Sequence, residues 1–179
     1  LVINFDEELL AGNMQKAFSG KYDSEFKKRF KIKNSSSYAF ADKLKEQNFH
    51  SSHIHNILYR PFDLRKIFYK QGFTSRPSWD VMRNMLAGKN YGLVFKRQSK
   101  KDFSYAFIVE QIVESCLFES AYANNSLAPL YLYPDGDKQK DFLEAEEKLE
   151  NFKPEFRSWL DKKYGEYFSP EDVLGYIYA

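Results

Sequence analysis

The chain has 179 residues, of which 43% are hydrophobic and 18% aromatic, enough to form a packed core and to exclude intrinsic disorder. The single cysteine, Cys116, excludes an internal disulfide and favours a reducing, cytoplasmic compartment. No apolar run approaches the ~20 residues of a membrane-spanning helix, and the acidic N-terminus does not fit a signal peptide. The sequence begins without Met and stops inside an apolar pattern, so we expect a fragment of a longer protein.

Apolar periodicity, caps and turns predict an α+β fold, with a mixed or antiparallel sheet core and flanking N- and C-terminal helices. The predicted helices span 5–18, 24–30, the stretch from an Asn34 turn to about 47, the stretch between Ser78 and Gly88, 139–150, 154–163 and a segment that starts at Ser169. The predicted strands span 54–59, 64–69, 91–98, 103–109 and 127–133, with a hairpin over 91–109. Three segments follow: a helical lead-in (1–50), an α+β core (51–134) and a helical C-terminal part (135–179).

Positive charge is concentrated in one part of the chain. Residues 60–101 carry eleven Lys or Arg against two Asp or Glu, whereas residues 102–134 carry none against four. A basic segment inside a nearly neutral chain, whose formal net charge is +2, is typical of a site for a polyanion. A solvated basic face without a ligand is the open alternative.

Motifs for catalysis are missing from the sequence. It contains no phosphate-binding glycine loop and no nucleophile elbow. His50, His53 and His55 lack further ligands at zinc-site spacing, so we interpret them as polar residues near a strand. Acidic residues at 135–146 resemble a calcium loop superficially, but Lys140 occupies the position that needs glycine. We therefore expect no metal site and no catalysis by this fragment.

The positive segment interleaves basic and aromatic side chains, as in the run from Tyr59 to Arg65. Lys and Arg neutralise phosphates, whereas Arg, Asn and Gln can read base edges with paired hydrogen bonds. Asp63 can pair with Arg60 or Arg65, so a structural ion pair is an open alternative to DNA contact there. The candidate DNA-binding residues are Arg60, Arg65, Arg76, Arg83, Lys89, Asn90, Lys96, Arg97, Gln98, Lys100 and Lys101.

Several blocks resemble one family in order along the chain. They are Tyr59-Arg-Pro-Phe-Asp-Leu-Arg65, Phe68-Tyr69, Arg76-Pro77, Val81-Met82, Gly88-Lys-Asn-Tyr-Gly-Leu-Val94, Arg97-Gln98, Pro129-Leu-Tyr-Leu-Tyr-Pro134 and Pro170-Glu-Asp-Val-Leu-Gly-Tyr-Ile-Tyr178, together with the opening Val2-Ile-Asn-Phe5. The chain thereby resembles the C-terminal specificity region of Type ISP and Type II G restriction–modification enzymes and of related adenine-specific DNA methyltransferases.

This resemblance implies a target recognition domain that binds duplex DNA downstream of an N6-adenine methyltransferase domain, with residues 1–50 leading in from the methyltransferase side. The parent would use S-adenosylmethionine, and magnesium if it also cleaves DNA. The fragment lacks the family's Asn-Pro-Pro-Tyr motif and any cofactor fingerprint, so we expect no cofactor in the fragment itself. The alternative from another class is a coupling or scaffold module that packs against other domains of the same enzyme and does not read DNA.

Overall fold

The structure, a computed structural model, describes residues 1–97, 106–118, 124–134 and 148–179 and confirms the α+β class. These residues form two compact units, Leu1–Trp79 and Asp80–Ala179, which we describe separately as unit 1 and unit 2. The predicted division into three segments concerns function as well as packing, and it stays a prediction. No described helix has the length and apolar character needed to cross a membrane.

The first helix of unit 1, α1 (Glu7–Ser19), has well-defined ends and confirms the helix predicted at 5–18. The Asp6 carboxylate accepts from the Leu9 amide at 2.9 Å and caps the N-terminus. Gly20 adopts a φ of 69°, which ends the helix in the left-handed conformation that glycine tolerates. The buried face of α1 consists of three residues at helical spacing: Leu10, Met14 and Ala17.

Helix α2 (Ser24–Arg29) ends in a Schellman motif. The Ile32 amide donates to the Lys27 carbonyl at 3.0 Å, and the Lys31 amide donates to the Lys28 carbonyl at 3.2 Å. Lys31 has a φ of 48° at the position where glycine is the usual residue. The motif buries Ile32 and leaves Lys31 exposed.

The third helix, α3 (Phe40–Glu46), follows the turn that the sequence predicts at residues 34–37. Side chains of the preceding turn bond to nearby backbone: Asn34 Oδ1 accepts from the Ala41 amide at 2.9 Å, and Ser35 Oγ accepts from the Tyr38 amide at 3.1 Å. Asn and Ser side chains that satisfy backbone amides in this way favour a turn over a helix. Because Asn34 binds amides in the first turn of α3, the turn predicted before this helix is confirmed.

Three antiparallel strands follow in unit 1: β1 (Ile3–Asn4), β2 (Ile54–Arg60) and β3 (Asp63–Phe68). Strand β3 lies between β1 and β2, which confirms the strands predicted at 54–59 and 64–69. Arg60 pairs with Asp63, so only Pro61 and Phe62 connect β2 to β3. The hairpin therefore has a two-residue tip.

The core of unit 1 is largely aromatic. The Phe68 ring lies 5.4 Å from the Phe18 ring, 5.8 Å from the Phe49 ring and 5.3 Å from the Phe73 ring, between centroids. These rings pack with the buried face of α1, together with Phe26, Ile32 and Leu44. Burial of large aromatic rings supplies much of the stabilisation of a small unit, and it fixes β3 against α1.

The helix predicted between Ser78 and Gly88 is shorter in the structure. Helix α4 (Trp79–Met82) is followed by a 3-10 turn, Arg83–Met85. Asn84 Nδ2 donates to the Asp80 carbonyl at 2.9 Å. In a continuing α-helix that carbonyl would accept the Asn84 backbone amide, so the side chain competes with the helix and favours its early end.

Unit 2 contains four further strands before residue 130: β4 (Gly92–Phe95), β5 (Ala106–Val109), β6 (Ile112–Val113) and β7 (Ser126–Pro129). Strand β4 pairs antiparallel with both β5 and β7. The pairing of β4 with β5 confirms the two strands of the predicted hairpin over 91–109. The hairpin turn, at 98–105, lies outside the described residues.

The strand predicted at 127–133 consists of two strands. After β7, Leu130 donates its amide to the Tyr91 carbonyl at 2.7 Å, and β8 (Tyr131–Leu132) then pairs with β9 (Leu149–Glu150). The prediction of a helix through residue 150 is therefore wrong at its end, because Leu149 and Glu150 are extended. Most of that predicted helix and the acidic stretch resembling a calcium loop fall at 135–147, outside the described residues.

Two helices complete unit 2, α5 (Pro154–Tyr164) and α6 (Pro170–Tyr178), and both confirm the prediction. Ser169 and Asp172 form a capping box at the start of α6. The Tyr131 hydroxyl donates to the Glu171 carboxylate at 2.7 Å, tying β8 to α6. The buried cluster consists of Leu130, Tyr131, Tyr133 and Leu174.

Candidate nucleic-acid interface

The predicted basic segment, 60–101, is divided between the two units, and its residues 98–101 lie outside the described residues. Each part is therefore considered within its own unit.

At the base of the β2–β3 hairpin, Arg65 forms an ion pair with Asp63. Its Nε lies 3.0 Å from Asp63 Oδ1, and its NH2 nitrogen lies 2.7 Å from Asp63 Oδ2. The hydrogen bonds from Arg65 hold the pKa of Asp63 below its usual range. The structural ion pair left open by the sequence is thus present, and it occupies much of the donor capacity of Arg65.

Aromatic rings hold the arginines of this hairpin in place. The Arg65 guanidinium carbon lies 4.1 Å from the centroid of the Tyr59 ring and 4.4 Å from that of Phe5. The Arg60 guanidinium carbon lies 4.4 Å from the Tyr59 ring centroid, and its NH1 nitrogen donates to the Tyr59 carbonyl at 2.7 Å. Cation–π stacking and these hydrogen bonds order two cationic groups beside the hairpin tip.

The tip itself presents an aromatic ring. Phe62 is 92% exposed and has a φ of 65°. Left-handed backbone costs a residue with a side chain about 1–2 kcal/mol. In a turn with proline at its second position, the third position can require a positive φ, and glycine is the usual residue there. The tip thus combines backbone strain with an exposed ring.

Arg76 is exposed in the loop after β3, where it also has a positive φ, 48°. It lines a depression together with Lys43 and the hydroxyl-bearing residues Ser37, Thr74 and Ser75. The Lys43 ammonium donates to the Gly72 carbonyl, which orients it at this rim. Two cations beside hydroxyl groups can bind a phosphate, because all of these groups can donate hydrogen bonds to its oxygens.

In unit 2, Asn90 has a structural role in place of the expected contact with DNA. It is 3% exposed, and Nδ2 donates to the carbonyls of Asn84 at 2.9 Å and Tyr131 at 2.8 Å. Its Oδ1 accepts from the Tyr131 amide at 3.1 Å. The Asn90 side chain is occupied inside the unit because the adjacent backbone of β8 would otherwise lack partners, and both Nδ2 donors are already used there.

Arg83 also contributes to the internal structure of unit 2. Its NH1 nitrogen donates to the Tyr133 carbonyl at 2.9 Å, and its side chain is only partly exposed. Lys89, by contrast, is exposed, and its carbonyl accepts from the Tyr133 hydroxyl at 2.8 Å. Of these two cations, Lys89 is the one placed to meet a ligand.

Two cations lie at the end of β4. Lys96 is partly exposed with its ammonium 5.5 Å from the centroid of the Phe118 ring, and Arg97 is exposed. The other three candidates of this hairpin, Gln98, Lys100 and Lys101, lie outside the described residues, so their roles stay predictions.

A second basic surface in unit 1 was missed by the sequence analysis. Five cations within seven positions are exposed at the end of α2 and in the turn after it: Lys27, Lys28, Arg29, Lys31 and Lys33. None of them forms an ion pair with another residue that the structure describes. We call this surface the basic turn. The signal in the sequence is local, because these five cations fall within residues 1–59, which carry nine Lys or Arg against seven Asp or Glu.

The described residues contain no cluster of three or more His, Cys, Asp or Glu side chains that could hold a metal ion. His50 and His53 are neighbours, with ring centroids 6.2 Å apart, and His55 lies in β2. Cys116 is a free, exposed cysteine. Within the described part of the chain, the candidate site is therefore defined by cations and aromatic rings.

A family model described as the Type ISP C-terminal specificity domain matches residues 1–179. Comparison with curated protein sequences gives no match.

Two solved structures have a similar fold. One is the "ATP-dependent Type ISP restriction-modification enzyme LlaBIII bound to DNA", with a TM-score of 0.68 and 21% identity over 99% of this chain and 12% of that chain. The other is the "cryoEM structure DrdV-DNA complex", with a TM-score of 0.62 and 17% identity over 99% of this chain and 17% of that chain. The chain therefore spans less than a fifth of either protein, and at these identities the similarity is one of fold.

Proposed function

The chain belongs to the family of Type ISP C-terminal specificity domains, and from this premise we propose that it binds duplex DNA sequence-specifically, as the target recognition domain of a bacterial restriction–modification enzyme. The observation that carries the proposal is the basic turn, five exposed cations without a carboxylate partner among the described residues. Clustered cations of this kind meet the phosphates of a nucleic acid. The two structures of similar fold are described as DNA-bound, which supports the same function.

Phosphate contacts and base contacts have different requirements. Lysines and exposed loop arginines act as point charges for phosphates, so we assign that role to the basic turn, Arg76 and Lys89, and to Lys96, Lys100 and Lys101. Arg97 and Gln98, at the end of β4 and just after it, have the paired donors and acceptors that read base edges. Arg60 and Arg65 support the β2–β3 hairpin, and Arg83 supports unit 2. They contribute to DNA binding by holding these parts of the structure in place.

For the parent enzyme we propose an upstream N6-adenine DNA methyltransferase domain that uses S-adenosylmethionine, with magnesium where DNA is also cleaved. Within that enzyme, residues 1–179 would supply recognition and perform no chemistry themselves. With DNA as its substrate, the enzyme works in the cytoplasm. Purified chain incubated with duplex DNA, radiolabelled S-adenosylmethionine and magnesium should give neither methylation nor cleavage; turnover abolished by a point change within residues 1–179 would contradict this.

The experiment that tests DNA binding is a titration of fluorescent duplexes at several salt concentrations. Binding through several phosphates gives a log–log slope of roughly −0.9 per contact, and non-specific affinity is on the order of 10⁻⁴ to 10⁻⁶ M at physiological salt. A recognition domain should also bind one sequence preferentially when duplexes are selected from a random pool. A binding curve that does not move between about 50 and 200 mM salt would show that phosphates do not hold the DNA.

A second candidate function is that of a coupling module, which an exposed apolar surface on α6 favours. Tyr176 is 86% exposed, and Ile177 and Tyr178 are also exposed. Contiguous exposed apolar residues mark surfaces that other proteins cover. Changing Tyr176 to Ala should then reduce activity of the full-length enzyme without changing the affinity of residues 1–179 for DNA; a loss of DNA affinity would place α6 at the DNA.

A further inference from the structure

The tip of the β2–β3 hairpin holds an exposed aromatic ring on a strained backbone. Phe62 combines a φ of 65° with a ring that is 92% exposed. Glycine would relieve the backbone strain, and a polar side chain would be better solvated. Strained backbone that holds a side chain in an unfavourable setting is a feature of functional sites. The ring at position 62 is therefore a candidate for contact with a ligand.

The base of the hairpin is ordered, which suits insertion of its tip. Tyr59 stacks with the guanidinium groups of both Arg60 and Arg65, and Arg65 is further held by Asp63 and the Phe5 ring. Pro61 restricts the backbone directly before the ring. An apolar wedge on a rigid base loses little conformational entropy when it inserts.

The immediate surroundings of Phe62 are apolar and cationic. Two further apolar side chains near the hairpin are exposed: Leu64, to 57%, and Phe5, which packs on Arg65, to 68%. Arg60 and Arg65 lie at the base of the same tip. An exposed aromatic ring on an ordered hairpin matches the stacked base faces of a nucleic acid, and the guanidinium groups that order the hairpin also place positive charge beside the ring.

We propose that Phe62 is a wedge that inserts between neighbouring base pairs of the bound duplex and stacks on an exposed base face. The proposal rests on the proposed function, because it requires that the chain binds DNA. Apolar side chains that enter a base step unstack it and kink the duplex. Every base has an aromatic face, so the wedge can stack at any sequence. Its preference among sequences follows from how easily each base step is unstacked.

The test compares two fluorescent duplexes of the same sequence, one intact and one with a single central abasic site, in which stacking is already interrupted. Wild-type chain should bind the abasic duplex about tenfold more tightly, because the intact duplex must first be unstacked at one base step, whereas the abasic duplex is already unstacked there. Phe62→Gly should bind both duplexes within about twofold of each other. Phe62→Trp should retain the preference, because it keeps an aromatic ring.

Phe62→Gly also separates binding from folding. It removes backbone strain, so its melting temperature should equal or exceed that of the wild type, while the preference for the abasic duplex disappears. Tyr176→Ala removes an equally exposed aromatic residue from α6 and should leave the preference unchanged.

Three outcomes that would overturn the wedge can be told apart. If the wild type and Phe62→Gly have the same preference, or no preference, but bind DNA with the expected salt dependence, the wedge is overturned and the proposed function stands. If the wild type binds neither duplex, the proposed function fails and the wedge fails with it. An unchanged DNA affinity in Phe62→Gly combined with lost activity of the full-length enzyme would assign the tip to a protein contact instead.

Discussion

The side chain of Asn90 donates to the backbone carbonyl of Asn84 at 2.9 Å, and the two asparagines together bind the backbone on either side of Leu132. Asn90 exchanges two hydrogen bonds with Tyr131, at 2.8 and 3.1 Å, and Asn84 Oδ1 accepts from the Tyr133 amide at 2.8 Å. The loop after α4 is thereby fastened to strand β8. The two side chains replace the backbone ladder that the outer side of β8 would otherwise require.

Asn90→Ala should destabilise the protein by about 1–3 kcal/mol, because it leaves buried backbone groups of β8 without partners. The neighbouring Lys89→Ala is the matched control. Lys89 is exposed, so this change should alter the free energy of unfolding of the protein by less than about 0.5 kcal/mol. DNA affinity should respond in the opposite order, with Lys89→Ala weakening binding. Urea unfolding and duplex titration measure the two effects, and a stable Asn90→Ala protein with reduced DNA affinity would return Asn90 to the interface.

Neutralising three cations of the basic turn should flatten the salt dependence of DNA binding. The triple variant Lys27→Ala, Lys28→Ala and Lys33→Ala should reduce the log–log slope by up to ~2.7, at ~0.9 per lost phosphate contact. Lys31 is kept, because its φ of 48° ends α2 and a change there would also affect folding. A control with Lys162→Ala and Lys163→Ala, exposed on α5, should leave the slope unchanged. Equal slopes for the wild type and the triple variant would exclude the basic turn from the interface.

The β4–β5 hairpin should separate base reading from phosphate contact in the full-length enzyme. Arg97→Ala or Gln98→Ala should cost about 1–3 kcal/mol on the cognate site and less on other sequences, as expected for lost base contacts. Lys100→Ala with Lys101→Ala should weaken binding to all duplexes about equally and reduce the salt slope by up to ~2. Methylation rate and affinity on cognate and single-mismatch duplexes measure both. A proportional loss on every duplex in all variants would remove base reading from this hairpin while leaving DNA binding intact.

The stability of the protein should fall as the pH is lowered from about 7.5 to 5. Burial lowers the pKa of His53, with the nearby positive charges of Lys70 and His50 acting in the same direction. Burial, and to a smaller extent His53, lowers the pKa of His55. A folded-state pKa below the unfolded value of about 6.5 means that the folded state takes up protons less readily. The stability that the neutral histidines support is therefore complete above pH 6.5 and is lost as the pH falls from there through the folded pKa values.

Melting temperatures across this range measure the effect, and His55→Gln should flatten the profile. The carboxylates with lowered pKa, Asp63 and Asp172, lose their contribution only as the pH falls below their usual value of 3.8, outside the range tested. A profile that is equally steep in His53→Gln, His55→Gln and the wild type would mean that other groups control it.

Local sequence was enough to predict most elements, because caps and turns act on neighbouring residues. Asp6 and Gly20 bound α1, and Ser169 with Asp172 forms the start of α6. The strands of both hairpins follow from their β-branched and aromatic residues. Where a side chain competes for backbone groups, as Asn84 does, the local pattern was ambiguous and the predicted end of the helix was wrong.

The sequence by itself determined the α+β class, the order of the elements and the blocks that identify the family. Only the tertiary structure decided which candidate side chains are available to a ligand. Asn90 and Lys89 are adjacent in sequence, yet one is buried against Tyr131 and the other is exposed. The physical reason is that a helix or strand depends mainly on neighbouring residues. Whether a polar side chain is buried depends on backbone groups that need a hydrogen-bond partner, and for Asn90 these lie about forty positions away.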